Sequence, residues 1–323
     1  MTDEETPILI LVGPTASGKT ALSVELATNA PGGGECISAD SMQVYRGMDI
    51  GTATPLEAER GDIPHHLLDV ADPHEVGFTV HDWLAAAEAA ISGTRQRDRL
   101  PIVVGGTNLY VRALLEGVFQ AEIVPPEIRE ALEPLTNETL HARLLKVDPP
   151  SAQRIHPNDR RRMIRALEVF EATGIPISRQ QTQWGDSVIE PRADAVIACL
   201  DWEPSELNRR INRRVGVMMD EGFLDEVRAL TQTGPLGQQA REAVGYKELV
   251  RHLEGEMSLS EAIEQIKIRS RRYAKQQRTW MRRFHAIPGV LRVSCTEARP
   301  PADALEAIIA HVEAWRPISN DGR

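Results

Sequence analysis

The first residues that could do chemistry are eight in a row near the N-terminus, Gly13-Pro14-Thr15-Ala16-Ser17-Gly18-Lys19-Thr20. They match the pattern GxxxxGK[ST], which requires a strand before it and a helix after it. We predict a loop whose backbone N–H groups and helix N-terminus hold a phosphate, rather than a plain turn. Lys19 would reach the outer phosphate, and Thr20 would offer its hydroxyl to a magnesium ion. The motif does not identify the polyphosphate.

The acidic residue that a nucleotide hydrolase places after a second buried strand is missing. The apolar run Ile102–Val104 leads into Gly105-Gly106-Thr107, and the chain has no NKxD guanine motif. The acid that ends a strand in this half is Asp40, in Ser38-Ala39-Asp40-Ser41-Met42-Gln43-Val44-Tyr45. It could act as a base or a magnesium ligand, or only stabilise a turn. Thr107 could cap a helix or place its hydroxyl against a ligand.

Short apolar runs and helical patterns alternate over residues 1–120. The predicted strands are Ile8–Val12, Cys36–Ala39, His66–Val70 and Ile102–Val104. The predicted helices are Lys19–Thr28, Asn108–Glu116 and Thr79–Ile91, the last with a Thr79/Asp82 capping box and an end before Gly93. Such alternation indicates an α/β fold in which helices cover both faces of a parallel sheet.

The pattern changes after about Gly117. Proline-rich joints stand at Pro125-Pro126, Pro149-Pro150, Pro157, Pro176 and Pro191, and helical stretches such as Arg160–Thr173 lie between them. We predict three segments: a core over 1–120, a small helical insertion over 121–195, and completion of the core over 196–323. The last begins near a strand at Ala195–Leu200 and continues in helices over about 205–231, 241–254 and 258–285.

The net charge of −10 is unevenly distributed. Residues 1–120 carry −10, residues 121–198 carry −2, and residues 199–323 carry +2. Residues 267–283 contain eight Lys or Arg and no acid, on a predicted helix whose stripe includes Tyr273, Gln277 and Trp280. This basic segment indicates a polyanionic partner, with a merely solvated helix as the alternative.

Several protein classes are disfavoured. The three cysteines, Cys36, Cys199 and Cys295, are far apart, which excludes a disulfide framework or zinc finger and suggests a reducing cytoplasm. No apolar run approaches a membrane span, and the N-terminal MTDEETP is acidic where a signal peptide is basic. Four histidines lie close together, but their spacing matches no common zinc pattern: His65, His66, His74 and His81.

Eight stretches carry a resemblance to a known family: GPTASGKT at 13–20, SADSMQVYRGMDIGTATP at 38–55, PHHLLDV at 64–70, GGTNLY at 105–110, IHPNDRRRMIRALEVFEATG at 155–174, GFLDEVRAL at 222–230, AVGYKEL at 243–249 and AKQQRTWMRRF at 274–284. Together they resemble the tRNA dimethylallyltransferases (tRNA isopentenyltransferases). We expect the bacterial short form to be the closer relative, because these residues contain no zinc finger of the eukaryotic C-terminal type. The resemblance implies a P-loop NTPase-like core with a helical insertion.

The resemblance also implies a reaction. A dimethylallyl group would pass from dimethylallyl diphosphate to N6 of the adenosine 3′ to the anticodon, and the base would leave its stack. The phosphate loop, Mg²⁺, Arg210 and Arg214 would stabilise the departing diphosphate. Asp40 would accept the amine proton, and Thr107 would contact the diphosphate. For the two arginines, a solvated helix face is the alternative.

The same resemblance implies contacts to the anticodon arm of tRNA. Residues near the target base would be Asp40, Ser41, Met42, Gln43 and Thr107. From the insertion, contacts would come from Arg129, Arg161, Arg162, Met163, Ile164 and Arg165. From the core they would come from Glu242, Ala243, Val244, Gly245, Tyr246 and Lys247, and from Lys275, Gln276, Gln277, Arg278, Thr279, Trp280, Met281 and Arg282.

Three other functions remain open on the residues alone. An adenylate isopentenyltransferase would share the donor, but would not need the insertion or the basic helix. A small-molecule P-loop kinase would use Asp40 for magnesium and transfer phosphate from ATP. An ATP-regulated RNA-binding module would tolerate loss of Asp40. We expect a cytoplasmic monomer that has no membrane partner.

Overall fold

The computed structural model describes residues 6–75, 77–118, 125–180 and 192–315. The first five residues of the acidic N-terminus and the predicted joint at Pro191 lie outside these ranges. The chain divides into two compact units, which we call the core unit (Met1–Leu115 with Val188–Arg323) and the helical unit (Glu116–Ser187). No helix in the described ranges is both long enough and apolar enough to cross a membrane.

The core unit contains a six-stranded parallel sheet. Its strands are β1 (Ile8–Val12), β2 (Gly34–Ala39), β3 (His65–His66), β4 (Leu100–Gly105), β5 (Ala195–Trp202) and β6 (Leu291–Cys295). Its helices are α1 (Lys19–Asn29), α2 (Glu57–Arg60), α3 (Val80–Gln96), α4 (Asn108–Glu116), α10 (Pro204–Asp220), α11 (Phe223–Thr233), α12 (Gln238–Arg241), α13 (Tyr246–Leu253), α14 (Leu259–Phe284) and α15 (Leu305–Glu313), with a 3-10 turn at Pro301–Ala304. Strand order is β3-β2-β4-β1-β5-β6. The predicted α/β class with a P-loop NTPase-like sheet is confirmed.

The apolar strands divide their side chains between the two faces of the sheet. Ile8, Ile10 and Val12 of β1 pack on one face with residues of α3 and α4. Leu9 and Leu11 pack on the other face with residues of α1, α10 and α15. This period of two explains why β1 is apolar at every position: both of its faces are buried.

The helical unit comprises α5 (Pro126–Leu132), α6 (Asn137–Val147), α7 (Pro149–Arg154), α8 (Arg160–Thr173) and α9 (Ile177–Gln180). The Asp159 side chain caps α8 by accepting from the Arg162 N–H, and Gly174 ends it at φ 70°. Helix α8 therefore has the predicted bounds. Proline at the first turn starts α5 and α7, where no intrahelical partner for the N–H is needed.

The structure corrects several element bounds. The predicted strand His66–Val70 is reduced to β3, because Leu67 and Asp69 adopt φ of 64° and 57°, which a strand cannot continue. Helix α3 runs past Gly93 to Gln96. The predicted helix 205–231 is two helices separated at Gly222 (φ 98°), and 241–254 is divided at Gly245 (φ 96°). Strand β6 was not predicted.

Candidate active site

Three loops meet where neighbouring strands end. Asp40 follows β2, Gly105-Gly106-Thr107 continues from β4, and the phosphate loop follows β1. These strands are adjacent in the order β2-β4-β1. Carboxyl ends of parallel strands lie at one edge, which is where open α/β sheets bind ligands. The topology therefore brings the predicted catalytic and phosphate-binding residues together.

The phosphate loop has the backbone that its motif requires. Ala16 and Gly18 adopt positive φ of 62° and 86°, and α1 begins directly after Gly18. A Cβ on Gly13 would lie 2.7 Å from the Ser17 hydroxyl, so the turn needs glycine there. The Ser17 Oγ is buried without a hydrogen-bond partner among the described residues. An orphaned donor inside an anion-binding loop fits a phosphate ligand.

Glycines 105 and 106 explain why no acid follows β4. A Cβ on Gly105 would lie 2.1 Å from the Ala39 carbonyl oxygen, and one on Gly106 would lie 2.3 Å from Gln277 Nε2. No side chain therefore fits between the end of β2 and the phosphate loop. With that space clear, Asp40 and Lys19 line one cavity together.

Gln277 of α14 ties two of the three loops together. It is 3% exposed. Its Oε1 accepts from the Thr15 N–H at 2.8 Å, and its Nε2 donates to the Gly106 carbonyl at 2.9 Å. One turn earlier, burial raises the pKa of the Tyr273 hydroxyl, with the side chains of Thr107 and Gln277 acting in the opposite direction. Helix α14 thus holds the phosphate loop against the loop after β4.

Asp40 and Thr107 both make structural hydrogen bonds at the turn that follows β2, and Asp40 also lines the cavity. The Asp40 Oδ1 accepts from the Met42 N–H at 2.9 Å, which is an Asx-type turn. Its Oδ2 makes no hydrogen bond within the described residues. The Thr107 Oγ1 accepts the Ser41 N–H at 3.0 Å instead of capping α4, and only its backbone carbonyl takes part in that helix. Thr107 therefore positions the turn that carries Asp40.

Three cationic side chains surround the phosphate loop. Burial lowers the pKa of Lys19 to about 8, with the nearby Asp40 carboxylate acting in the opposite direction. Burial likewise lowers the pKa of Arg214, which Asp40 again opposes. The Arg210 Nε donates to the Ala16 carbonyl at 2.9 Å, and its guanidinium lies 4.5 Å from the centre of the Trp202 ring. Arg210 and Arg214 therefore do not lie on a fully solvated helix face, and the alternative that the sequence left open for them is wrong.

Two cavities adjoin at these residues. The polar one is lined by Lys19, Thr20, Ser38, Asp40, Gln43, His65, Arg214 and Gln277, among others. The second, of about 280 Å³, is largely apolar; its lining includes Met42, Ile211, Val215, Met218, Phe223, Val244, Tyr246 and Ile266. Both are lined by Thr15, Asp40, Thr52, Arg214 and Tyr273. An anionic group and an apolar group could therefore meet beside the Asp40 carboxylate.

The loop that follows Asp40 is fixed by a carboxylate that sequence reasoning missed. Glu226 of α11 accepts from three successive backbone N–H groups, those of residues 49–51, at 2.7–3.2 Å. It also accepts from the Tyr246 hydroxyl at 2.6 Å. Gly51 packs against Phe223 and Tyr246 so closely that a Cβ would lie 2.2 Å from the Phe223 ring. Glu226 stood in the quoted GFLDEVRAL stretch, which was the available signal.

The residues predicted to contact tRNA from the core unit are of two kinds. Side chains at the surface are those of Glu242, Lys247, Lys275, Gln276, Arg278, Thr279, Trp280 and Arg282, fully or in part. Those of Ala243, Tyr246, Gln277 and Met281 are buried, and Gly245 is buried as well. Contact to RNA at these positions stays a prediction, and their buried side chains do not form part of the outer surface. Ser41, Met42, Gln43 and Val244 are half-buried at the cavities.

In the helical unit, Arg161 and Arg162 are exposed and Arg165 is half-buried. Met163 and Ile164 are 0% and 3% exposed and belong to that unit's core, and the RNA contact predicted for them stays a prediction. Arg129 lies 3.1 Å from the buried carboxylate of Glu168, which also pairs with Arg165 at 3.4 Å. This shared carboxylate fixes the direction of both guanidinium groups.

Few residues could hold a metal ion. The described part of the chain has no group of three or more His, Cys, Asp or Glu side chains placed to bind one. The cavity instead offers the Thr20 hydroxyl and the Asp40 carboxylate. Mg²⁺ is commonly held by one or two protein oxygens together with substrate phosphates and waters, so the donor set suits a cation that arrives with a diphosphate.

Fold and site together define an α/β enzyme of the phosphate-loop class, in which Asp40 lines one cavity with the phosphate loop and glycines replace the magnesium-binding acid of a hydrolase after β4. The IPP transferase family model matches residues 43–284, and the isopentenyl transferase model matches residues 6–71. The chain belongs to the IPP transferase family.

Curated relatives and solved structures agree with this. The tRNA dimethylallyltransferase 1 of Trichlorobacter lovleyi is 46% identical over 88% of this chain and 93% of its own length. The tRNA dimethylallyltransferase of Symbiobacterium thermophilum is 48% identical over 98% of each chain. The full-length tRNA isopentenylpyrophosphate transferase of Bacillus halodurans superposes with a TM-score of 0.68 at 39% identity, over 96% of this chain and 97% of its own. A eukaryotic dimethylallyltransferase acting on tRNA gives a TM-score of 0.81 at 28% identity, over 98% and 81%.

Proposed function

We propose that the protein transfers the dimethylallyl group of dimethylallyl diphosphate to N6 of the adenosine 3′ to the anticodon of tRNA, releasing diphosphate. The observation that carries this is the junction of the two cavities. The polar cavity contains the lysine and threonine of the phosphate loop, and the apolar one has room for a five-carbon chain. The reacting carbon would lie between them, beside Asp40.

The residues of the chain supply the two halves of the reaction. The bond between the dimethylallyl C1 and the diphosphate oxygen breaks, and its electron pair leaves with the diphosphate. The loop N–H groups, Ser17, Lys19, Arg210 and Arg214 bind that growing charge in a partly desolvated space, where such interactions are strong. Mg²⁺, held by Thr20 and the substrate's phosphate oxygens, would neutralise further charge.

The acceptor amine needs a base. The lone pair of N6 is delocalised into the adenine ring, so a bond to C1 forms only as the amine proton is removed. The Asp40 carboxylate accepts that proton. Its Oδ1 accepts from the Met42 N–H, and its Oδ2, which makes no hydrogen bond within the described residues, would take the proton. Thr107 acts by fixing the turn at Ser41 and contacts the diphosphate.

We propose that tRNA binds through basic residues that are exposed or half-buried. On α14, Arg271, Arg272, Lys275, Arg278 and Arg282 line one groove. In the helical unit, Arg129, Arg161, Arg162 and Arg165 would clasp the anticodon arm. Phosphate contacts of this kind position the RNA, and base contacts at residues 40–43 would specify the target. We also propose that the enzyme works as a monomer and in the cytoplasm, the second in keeping with three buried free cysteines.

The test is a product assay. The purified protein is incubated with Mg²⁺, dimethylallyl diphosphate and unmodified tRNA, with AMP replacing tRNA in a parallel reaction. Digestion and mass spectrometry should find dimethylallyl-adenosine from tRNA and none from AMP. Product from AMP alone would indicate an adenylate isopentenyltransferase. Absence of both products together with ATP-dependent phosphorylation would indicate a kinase.

A further inference from the structure

One side chain that lines the polar cavity has no role in the reaction described above. His65 of β3 lies there with Lys19, Thr20 and Asp40. Its Nδ1 is 2.9 Å from the Ile63 carbonyl oxygen. A carbonyl can only accept, so Nδ1 carries the ring proton. In the neutral ring the other nitrogen, Nε2, therefore presents a lone pair.

The Nε2 atom of His65 is buried and has no hydrogen-bond partner among the described residues. Burial also lowers the pKa of His65 below its usual value, with the positive charge of Arg60 acting in the same direction. The ring is therefore a neutral acceptor at physiological pH. A buried acceptor without a partner is costly, and in a ligand cavity its natural partner is part of the ligand.

The chemistry of the cavity restricts that partner to a donor. A deprotonated phosphate oxygen is itself an acceptor and would repel Nε2, and so would the Asp40 carboxylate. Mg²⁺ prefers oxygen ligands and usually keeps several waters when it binds with a phosphate. Water on a divalent cation is a strong donor because the cation polarises its O–H bonds. Outer-shell acceptors of this type orient what the cation carries.

We propose that His65 is a positioning residue whose Nε2 accepts a hydrogen bond from a water on the divalent cation that accompanies the diphosphate. This inference rests on the proposed function, because it requires a metal–diphosphate ligand in this cavity. His65 would thereby fix the hydrated cation relative to Thr20, without being a metal ligand itself. The adjacent His66 offers a matched control, since its Nε2 is already 2.7 Å from Glu35.

The first experiment measures binding of inorganic diphosphate by calorimetry at several Mg²⁺ concentrations. His65→Leu removes the acceptor, His65→Gln supplies an amide oxygen at similar reach, and His66→Gln is the control. We expect His65→Leu to raise the Mg²⁺ concentration needed for half-maximal diphosphate binding about 10- to 100-fold, in the range of outer-shell substitutions. His65→Gln and His66→Gln should stay close to the wild type.

A second measurement uses the wild-type protein and does not depend on how the variants fold. With ¹⁵N-labelled histidine, the unprotonated Nε2 resonance of His65 should shift when Mg²⁺ and diphosphate are added together, while the resonance of the His66 Nε2, which donates to Glu35, stays unchanged. An equal shift with diphosphate and chelator would mean that a phosphate group is the partner. A shift only with an anticodon stem-loop would assign the partner to the RNA. Either result overturns the proposal.

The two hypotheses fail in different ways. If the wild type does not bind diphosphate at any Mg²⁺ concentration, the prenyl-transfer function is itself contradicted. If the wild type binds it and His65→Leu has the same Mg²⁺ dependence, only the role of His65 is refuted.

Discussion

The substitution Asp40→Asn distinguishes the role of Asp40 as a base from its role in stabilising the turn. The asparagine Oδ1 can still accept the Met42 N–H, so the Asx turn should persist. What is lost is the proton acceptor and one negative charge. General-base catalysis contributes roughly 10²- to 10⁴-fold, or about 3–5 kcal/mol of barrier. We expect kcat for dimethylallyl transfer to tRNA to fall by that factor, with the melting temperature nearly unchanged.

The same variant should change the pH dependence of diphosphate binding. The pKa of Lys19 is about 8, and the Asp40 carboxylate is what keeps it from falling further. Binding of the anion needs the lysine cation, so wild-type affinity should be full below pH 8 and decrease as the pH rises above it. Without the Asp40 charge the pKa of Lys19 falls, and the decrease should begin at lower pH. At pH 6.5, binding should be retained.

The assays are single-turnover transfer to tRNA and calorimetric titration with diphosphate between pH 6.5 and 9.5. The control is Asp62→Asn, because Asp62 is an exposed aspartate between β2 and β3. Turnover of Asp40→Asn within threefold of the wild type would refute Asp40 as the base. Loss of Mg²⁺-dependent diphosphate binding at pH 6.5 would instead identify Asp40 as a metal ligand.

Three further predictions follow from the cavity, the strand ends and α14. Arg214→Ala should weaken diphosphate binding about 10- to 100-fold, since a charge-assisted hydrogen bond contributes roughly 1.5–3 kcal/mol. Arg213→Ala, at an exposed position, should not weaken it, and equal effects of the two substitutions would contradict the role of Arg214 in binding diphosphate. Gly105→Ala should lower the melting temperature sharply because its Cβ would lie 2.1 Å from a carbonyl oxygen. Gly93→Ala inside α3 should be neutral or stabilising. An unchanged melting temperature of Gly105→Ala would show that the ends of β2 and β4 can separate. Alanine substitutions on α14 should reduce the slope of log K for tRNA binding against log salt concentration by about 0.7–0.9 per lost phosphate contact, and the substituted residues are Lys275, Arg278 and Arg282. Arg228→Ala should leave the slope unchanged. An unchanged slope in the α14 variants would exclude this helix from the tRNA-binding surface.

The sequence was most informative where burial imposes a pattern. Strand β1 and helix α8 have their predicted bounds because uniform burial and a capped amphipathic stripe are both visible in the residue order. Strand β6 escaped prediction because it lies at the sheet edge, with exposed Arg292 and Ser294 interrupting its apolar residues. The predicted strand at β3 was too long because Leu67 has a left-handed φ, and an apolar residue type gives no indication of such a backbone conformation.

The site was predictable in its parts but not in its connections. Asp40 and the phosphate loop follow recognisable strands, and parallel topology brings such strand ends together. The role of Gln277 was not predicted, although a polar residue within the buried stripe of α14 was a signal that it has a buried partner. The carboxylate of Glu226 binds backbone groups 175–177 residues away, and no local pattern encodes such a contact.

The order in which the strands are made has a consequence for synthesis. Strand β1 lies between β4 and β5, and Ile8 pairs with Ala195. A ribosome must therefore complete the whole helical unit before β1 gains its second neighbour. Until then β1, apolar at all five positions, is an unpaired edge in a nascent chain. Late closure of such a long-range pairing makes this stage the most exposed to aggregation, and a chaperone that shields β1 should act before residue 195 emerges.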